Sequence, residues 1–322
     1  MTALGSCSRL SRRLGLSKLH GGLKTGTIQR FAGLAILKTR KASIRRAVLT
    51  GAICWVTLFG SARAADVPAP RPSLDQGFRL LYNLDFDQGH QVFLSWQREH
   101  PQDPVGPTAE AAGILFSEFH RLGVLEGQFY ENDKKFLNRD QKEPDAGVRD
   151  RFNLALSRAQ NLASARLAAN AKDRDALFAM TLSSGLQADY AAMIEKKNMS
   201  SLHYTREAND WADQLLAVDP KCYDARVATG FSKYIIGSMA APVRWVLRIG
   251  GVSGDKKQGI RELQMTADHG QYLGPFARIL LAIAYVRDKD NVRARELLAS
   301  LRDEFPKNTL FTNEIARLDA GH

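Results

Sequence analysis

Cysteine is scarce in this sequence: only Cys7, Cys54 and Cys222 occur among 322 residues. The first two lie in an N-terminal segment that we expect to be removed, which leaves Cys222 alone and excludes an internal disulfide. The remaining chain must therefore be held by its hydrophobic core, for which an apolar content of 44% is sufficient. An intermolecular bridge through Cys222 stays open, but we expect this residue to serve as a small buried hydrophobe.

Acidic residues are absent from the first 64 positions, which carry 12 lysines and arginines. The other residues include 33 basic and 34 acidic side chains, so the formal charge of +11 and the pI near 9.7 arise from this segment. The rest of the chain is nearly neutral. Overall charge is therefore no argument for a nucleic-acid partner, and we expect none.

An export signal explains the basic segment. Arg45 and Arg46 precede an uncharged run of 14 residues, 47–60, and the small-residue stretch Ser61–Ala65 follows it. Positive residues, a short apolar run and small residues at a cleavage point make up a secretory signal peptide, and we predict cleavage after Ala64. A run this short spans a bilayer poorly, since about 20 residues are needed, although an uncleaved membrane anchor remains the alternative.

Residues 1–36 are too long for the start of an ordinary signal peptide. Either the start is assigned too far upstream, with a true start at Leu37 or Val48 on a non-standard codon, or this Arg- and Ser-rich segment is a mitochondrial presequence. The first interpretation predicts an exported periplasmic or secreted protein, and the second a mitochondrial one. Beyond the signal, we expect 65–72 to be an extended Pro-rich leader and 73–322 to form one domain.

Motifs for chemistry are also lacking. Neither H-E-x-x-H nor C-x-x-C occurs, which argues against a metal site, and no G-x-S-x-G marks a nucleophile. Gly254 and Gly259 have the glycine separation of a phosphate-binding loop, but Ile260 and Arg261 stand where lysine and serine or threonine are required. We therefore predict no catalytic, cofactor or metal site.

What the remaining chain does have is helical periodicity. Apolar residues recur at helical spacing from residue 73 onward, β-type alternation is absent, and proline and glycine fall between the periodic segments. The pattern predicts an all-α fold, and its mostly short connections make neighbouring helices antiparallel. The predicted helices lie near 73–83, 85–99, 106–123, 146–169, 174–196, 201–218, 222–238, 255–270, 273–286, 289–304 and 308–319.

An internal repeat is clearest between Arg278 and Pro306. Large, small and aromatic residues follow one another there at fixed offsets, with small residues where paired helices approach and a proline that closes the unit. The residues concerned are Leu281, Ala282, Tyr285, Ala294, Leu298, Leu301 and Pro306. Two further units share parts of this pattern, one with Ala208, Pro220 and Gly230, the other with Gly77, Phe93 and Pro101.

Four residues between Lys172 and Ala179 also recur 49 residues later, between Lys221 and Ala228. Together these units resemble the tetratricopeptide repeat, most closely at the C-terminus. The resemblance implies an α-solenoid of antiparallel helical hairpins wound into a right-handed superhelix, with residues 308–319 as a capping helix. It also implies a protein or peptide partner, although the lysine–asparagine clamp that some members use for C-terminal carboxylates is absent.

One connection is too long for a helical hairpin. About 16 residues separate the helices predicted at 222–238 and 255–270, against the usual 2–8, and they include Arg244, Trp245 and Arg248. One interpretation places Trp245 in the core, with the arginines reaching past it to solvent. The other makes these three residues the rim of a groove that binds a carboxylate or an acidic peptide.

These features favour a non-catalytic, exported scaffold for protein–protein contacts in a bacterial cell envelope. Two alternatives stay open: an envelope enzyme accessory or weak hydrolase with carboxylates assembled across repeats, and a mitochondrial intermembrane-space protein of the same fold. The absence of a nucleophile or metal motif speaks against the hydrolase.

The export interpretation predicts the N-terminus of the mature protein. The protein purified from a bacterial envelope fraction should begin at Ala65, because the small residues before this position suit cleavage by signal peptidase. N-terminal sequencing of the purified protein checks this. A chain that keeps residues 47–60 would instead establish the uncleaved anchor.

Overall fold

The computed structural model describes residues 73–125, 143–239 and 254–321. Within these ranges the regular secondary structure is helical, and no β-strand is present. The predicted all-α fold is therefore confirmed for this part of the chain. The signal segment 1–64 and the leader 65–72 lie outside the described residues. The described α-helices are α1 Leu74–Tyr82, α2 Phe86–Glu99, α3 Val105–Arg121, α4 Ala146–Ala169, α5 Arg174–Met193, α6 Asn198–Val218, α7 Arg226–Ser238, α8 Lys256–His269, α9 Gly274–Arg287, α10 Asn291–Glu304 and α11 Thr309–Asp319.

Two helix boundaries differ from the sequence-based prediction for local reasons. Helix α5 ends at Met193 rather than near 196, and α6 begins at Asn198. Lys196 between them adopts a positive φ of 56°, which is incompatible with a continuing α-helix. A short 3-10 turn, Tyr223–Ala225, precedes α7 where the pattern predicts uninterrupted helix.

The helices pack in chain order and fall into an inner and an outer set. Each helix contacts the next, and the odd-numbered helices also contact one another, α1 with α3, α3 with α5, and α5 with α7. Burial follows the same division. Twelve residues of α5 are buried, but only three of the equally long α6, so the odd-numbered helices form the inner set.

The turns from an outer to the next inner helix repeat one geometry. In four of them the residue directly after the helix accepts, at its carbonyl, a hydrogen bond of 3.0 Å from the backbone N–H three residues further on. The donor and acceptor residues are Asp103 and His100, Asp173 and Asn170, Cys222 and Asp219, and Asn308 and Phe305. Pro101, Pro220 and Pro306 each follow the acceptor, which is the place where a proline stops a helix without removing a needed hydrogen bond.

The turns from an inner to an outer helix repeat a second geometry. After α1, α3 and α9 an N–H donates to the carbonyl five residues earlier, as in Asp85 to Leu80 at 2.9 Å, Val124 to Phe119 at 2.8 Å and Asp290 to Tyr285 at 2.9 Å. The residue before each donor has a positive φ near 60–70°. This is the Schellman motif, which satisfies the last carbonyls of a helix.

Small residues allow the paired helices to approach closely. A Cβ on Gly77 would lie 2.2 Å from the ring of Phe93, and one on Gly259 would lie 2.5 Å from the backbone of Tyr234. Gly230 of α7 faces the backbone of Gly259, so α7 and α8 touch main chain to main chain. The other small repeat positions, Ala208, Ala282 and Ala294, are buried, as are Leu281 and Leu298, while Tyr285 is partly buried against the same core.

Tyr82 closes the helical array on itself. This last residue of α1 donates its hydroxyl hydrogen to the carbonyl of Tyr272 at 2.9 Å, 190 residues away. Its ring lies 5.4 Å from that of Phe305, and its own carbonyl accepts a hydrogen bond from Asn308 at 2.9 Å. The end of α1 therefore joins the α8–α9 turn to the α10–α11 turn, and we call these contacts the closure seam.

Charged groups line the closure seam and neutralise one another. Arg79 of α1 and Arg278 of α9 both bind the carboxylate of Glu304, and Lys307 binds Asp85 at 2.9 Å. Burial would raise the pKa of Glu304, but the two guanidinium groups outweigh burial and lower it. At neutral pH the carboxylate of Glu304 is therefore ionised and paired with the two arginines.

Tyr82→Phe should reduce the free energy of unfolding by about 1–2 kcal/mol, because it leaves the Tyr272 carbonyl without its donor while the ring stays in place. Urea denaturation at pH 7 measures the change. Tyr204→Phe is the matched control, since no described contact uses its hydroxyl, and it should change stability by less than about 0.5 kcal/mol. Equal effects of the two substitutions would contradict the role assigned to the Tyr82 hydroxyl.

Candidate functional site

Two long connections each follow an inner helix. In hairpins α1–α2 and α9–α10 the outer helix starts directly after the Schellman turn. After α3 the same turn is followed by residues 126–142 before α4 begins. Residues 240–253 separate α7 from α8, and both segments lie outside the described residues. Because α3–α4, α5–α6 and α7–α8 are consecutive hairpins, these turns lie side by side. We call this region the insertion edge, and it comprises Val124–Leu125, Glu143–Asp145, Ile194–Lys197, Met239 and Gly254–Asp255.

A buried ion pair closes the base of the first connection. Glu118, 3% exposed, accepts two hydrogen bonds of 2.7 Å from Arg121. Arg121 also donates to the carbonyl of Glu143, and the N–H of Asp145 donates to Glu118 at 3.0 Å. Burial alone would raise the pKa of Glu118, but these donors outweigh it and lower the pKa. The chain is therefore held where it leaves α3 and where it re-enters before α4.

Glycine contacts close the base of the second connection. A Cβ on Gly254 would lie 2.5 Å from the backbone N of Gly237, and one on Gly237 would lie 2.3 Å from that of Lys256. Asp255 caps α8 by accepting the N–H of Gln258 at 3.0 Å. The two ends of this connection are thus pinned together by direct backbone contact.

The sequence-predicted contact residues Arg244, Trp245 and Arg248 belong to the connection 240–253 and lie outside the described residues. Both interpretations of Trp245, as a core residue and as part of a binding rim, therefore stay predictions. What the structure adds is the position of the connection, because its two ends emerge at the insertion edge.

Sequence reasoning missed one carboxylate next to this edge, Asp189 of α5. It lies one turn from the end of the helix and is only partly exposed. Burial raises its pKa to about 7, and no charge among the described residues contributes to the shift. A signal was present in the sequence, because Asp189 is the single charged residue between Asp175 and Glu195, in a stretch that is otherwise apolar, small or uncharged.

The other buried acids of the described chain have partners that explain them. Glu262 binds Lys233 at 2.6 Å and Thr229 at 2.6 Å, and these bonds lower its pKa against the effect of burial. Asp224 accepts three backbone N–H groups of the α8–α9 turn at 3.0–3.1 Å. Burial still raises the pKa of Asp224, because the three donors offset only part of it. These acids bind hydrogen-bond donors and so hold helices and turns in place, whereas Asp189 has no such partner among the described residues.

A small cleft of about 150 Å³ lies at the closure seam. Its lining includes Arg79, Arg278 and Glu304, which bind one another, and Tyr82, whose hydroxyl binds Tyr272. These four residues of the cleft therefore take part in closing the fold. Among the described residues no cluster of histidine, cysteine and acidic side chains is arranged to hold a metal ion. None of the helices in the described ranges combines the length and the apolar character needed to cross a membrane.

In comparisons with known proteins, no family model and no curated protein matches this chain. The candidate site therefore depends on the geometry of the insertion edge and on the chemistry of Asp189.

Asp189→Asn should stabilise the protein at pH 8 by about 1–4 kcal/mol, the upper value being a shift of about three pKa units. In the unfolded chain the carboxyl has its ordinary pKa near 3.8, and in the folded chain about 7. The folded state therefore binds the extra proton between these values, and wild-type stability falls as pH rises from about 4 to 7. Below pH 4 the two proteins should be equally stable on this account.

Urea denaturation from pH 4 to 8 measures the difference. Asp213→Asn, at an exposed position of α6, is the matched control and should leave the pH profile of the wild type unchanged. A constant difference between Asp189→Asn and the wild type across this range would show that Asp189 does not titrate near neutrality.

Proposed function

We propose that this chain is a non-catalytic scaffold that mediates protein–protein interaction in the cell envelope, built as a tetratricopeptide-like, right-handed α-solenoid. The observation that carries the proposal is the insertion edge. In repeat proteins, insertions between repeating units map to loops on one face, and this is often the face that binds a partner. Two such insertions occur here, after α3 and after α7, and only the α5–α6 turn lies between them along the stack.

The repeating geometry supports the solenoid part of the proposal. Two turn types alternate along the chain, and contacts between successive inner helices extend from α1 to α7. Antiparallel hairpins stacked through their inner helices are what the resemblance to the tetratricopeptide repeat implies. The glycine contacts between α7 and α8 fit the small-residue positions of that repeat.

The inner surface supports a partner site at the edge rather than along the whole concave side. Tyr272 lies 5.1 Å from Phe78 of α1 and 5.9 Å from Phe178 of α5, and Phe276 lies 5.7 Å from Phe116 of α3. These aromatic contacts fill the space between the inner helices near the α8–α9 turn. In our proposal the partner contacts the insertion edge, where Arg244 and Arg248 supply charged hydrogen-bond donors and Trp245 an aromatic anchor.

The envelope location depends on the signal segment in the sequence, and a mitochondrial protein of the same fold is the alternative that its basic extension leaves open. A weak hydrolase would need a second titratable group acting with Asp189. No such group among the described residues acts on the pKa of Asp189, and we therefore propose a binding role.

The double substitution Arg244→Ala and Arg248→Ala should reduce capture of envelope proteins by at least about tenfold, because two charge-assisted contacts are lost. Cross-linking of the purified chain to an envelope fraction, followed by quantitative mass spectrometry, measures capture.

Arg151→Ala with Arg158→Ala is the matched control, since both arginines are exposed on the outer helix α4 and make no described ion pair. It should capture partners as the wild type does. Undiminished capture by the folded Arg244/Arg248 variant would rule out these arginines as contact residues.

A further inference from the structure

The inner helix α5 carries a stripe of residues that ends at the insertion edge. Phe178, Leu182, Gly185 and Asp189 follow one another at steps of four, three and four, and therefore lie on one face of the helix. Tyr272 covers the start of the stripe, with its ring 5.9 Å from that of Phe178. From Leu182 onward the residues of the stripe are only partly buried.

The stripe has open space beside its middle residue. No described atom would lie within 4 Å of a Cβ at Gly185, in contrast to Gly77 or Gly259, where a Cβ would collide with a neighbour. Asp189 lies one helical turn further toward the insertion edge, about 6 Å along the axis. Along the stripe, Leu182 is apolar, the space beside Gly185 is free of described atoms, and Asp189 carries a carboxylate.

Asp189 is a partly buried carboxyl group without a counter-ion among the described residues. A carboxylate removed from water is costly unless it is paired. Burial raises the pKa of Asp189 to about 7, and no charged group among the described residues compensates for it. Described residues pair with Glu118, Glu262 and Asp224, but none of them pairs with Asp189. An incoming cation would relieve the cost and gain a charge-assisted hydrogen bond.

We propose that this stripe of α5 is a docking site for a basic side chain of the protein partner, with Leu182 and Gly185 receiving its aliphatic stem and Asp189 binding its cationic head. This rests on the proposed function, because it assumes a protein partner at the insertion edge. Lysine and arginine suit the site, since their apolar stems pack on apolar surface while the charge reaches beyond it. The stem of either residue is about as long as the single helical turn from Gly185 to Asp189.

A cation tethered inside the stripe tests the site without an identified partner. Gly185→Lys places an ammonium group one turn from Asp189, and Gly185→Met is the neutral control of similar length. In the full chain, NMR of ¹³C-labelled aspartate carboxyls follows the titration of Asp189. We expect the midpoint to fall by at least one pH unit in Gly185→Lys relative to Gly185→Met. Equal midpoints in the two variants would overturn the proposal.

Capture from the envelope fraction tests the docking itself. Asp189→Asn should capture the partner at least about tenfold less well than the wild type, while Asp213→Asn should not differ from it. Asp189→Asn is expected to be more stable than the wild type, so loss of capture would not reflect unfolding.

The two proposals fail differently. Full capture by Asp189→Asn, together with loss of capture in the Arg244/Arg248 variant, would overturn the docking site and leave the scaffold function standing. No specific capture by the wild type would overturn the scaffold function, whereas the NMR comparison of Gly185→Lys with Gly185→Met would still decide whether the stripe accepts a cation.

Discussion

The hydrogen bond from the Tyr82 hydroxyl group closes the helical array, because it joins the first helix to the α8–α9 turn. A stack of helical hairpins needs only contacts between neighbours, and its ends are ordinarily free. Here the last residue of the first helix binds the α8–α9 turn and packs on Phe305. That contact places Tyr272 between Phe78 and Phe178, and Asp224 holds the same turn from the other side through three backbone N–H groups. The Tyr82 and Asp224 hydrogen bonds together hold the α8–α9 turn against the inner helices.

The filling of the inner surface decides where a partner has room. Aromatic rings occupy the space near the α8–α9 turn, while no ring among the described residues contacts the stripe of α5 beyond Leu182. At this end no described atom lies near Gly185, no described residue pairs with Asp189, and two long connections leave their hairpins. The ends of both connections are fixed by tight contacts, the Glu118–Arg121 pair at one and the Gly237–Gly254 approach at the other. Rigid bases beneath long connections are typical of loops that present binding residues.

Local features of the structure could be predicted from the sequence, and features that depend on distant contacts could not. Helix periodicity and the closing prolines Pro101, Pro220 and Pro306 specify the helices and their turns, because both act within a few residues. The α5–α6 turn was misplaced by about three residues, since the positive φ of Lys196 has no marker as clear as a glycine. Tyr82 looked like any aromatic residue of a helix, because its partners lie 190 or more residues away. Asp189 was overlooked because burial, which gives it its properties, is set by helices that the pattern cannot place in space.

The closure seam also has a consequence for how the chain reaches its native state during synthesis. Tyr82 leaves the ribosome early, whereas Asn308, which binds its carbonyl, is made 226 residues later. At a synthesis rate of about 5–20 residues per second, α1 waits on the order of ten seconds or longer for its final neighbours. Until then the array of hairpins is an open chain whose first helix lacks its last contacts. The described helices therefore reach their final packing only after α11 has been synthesised.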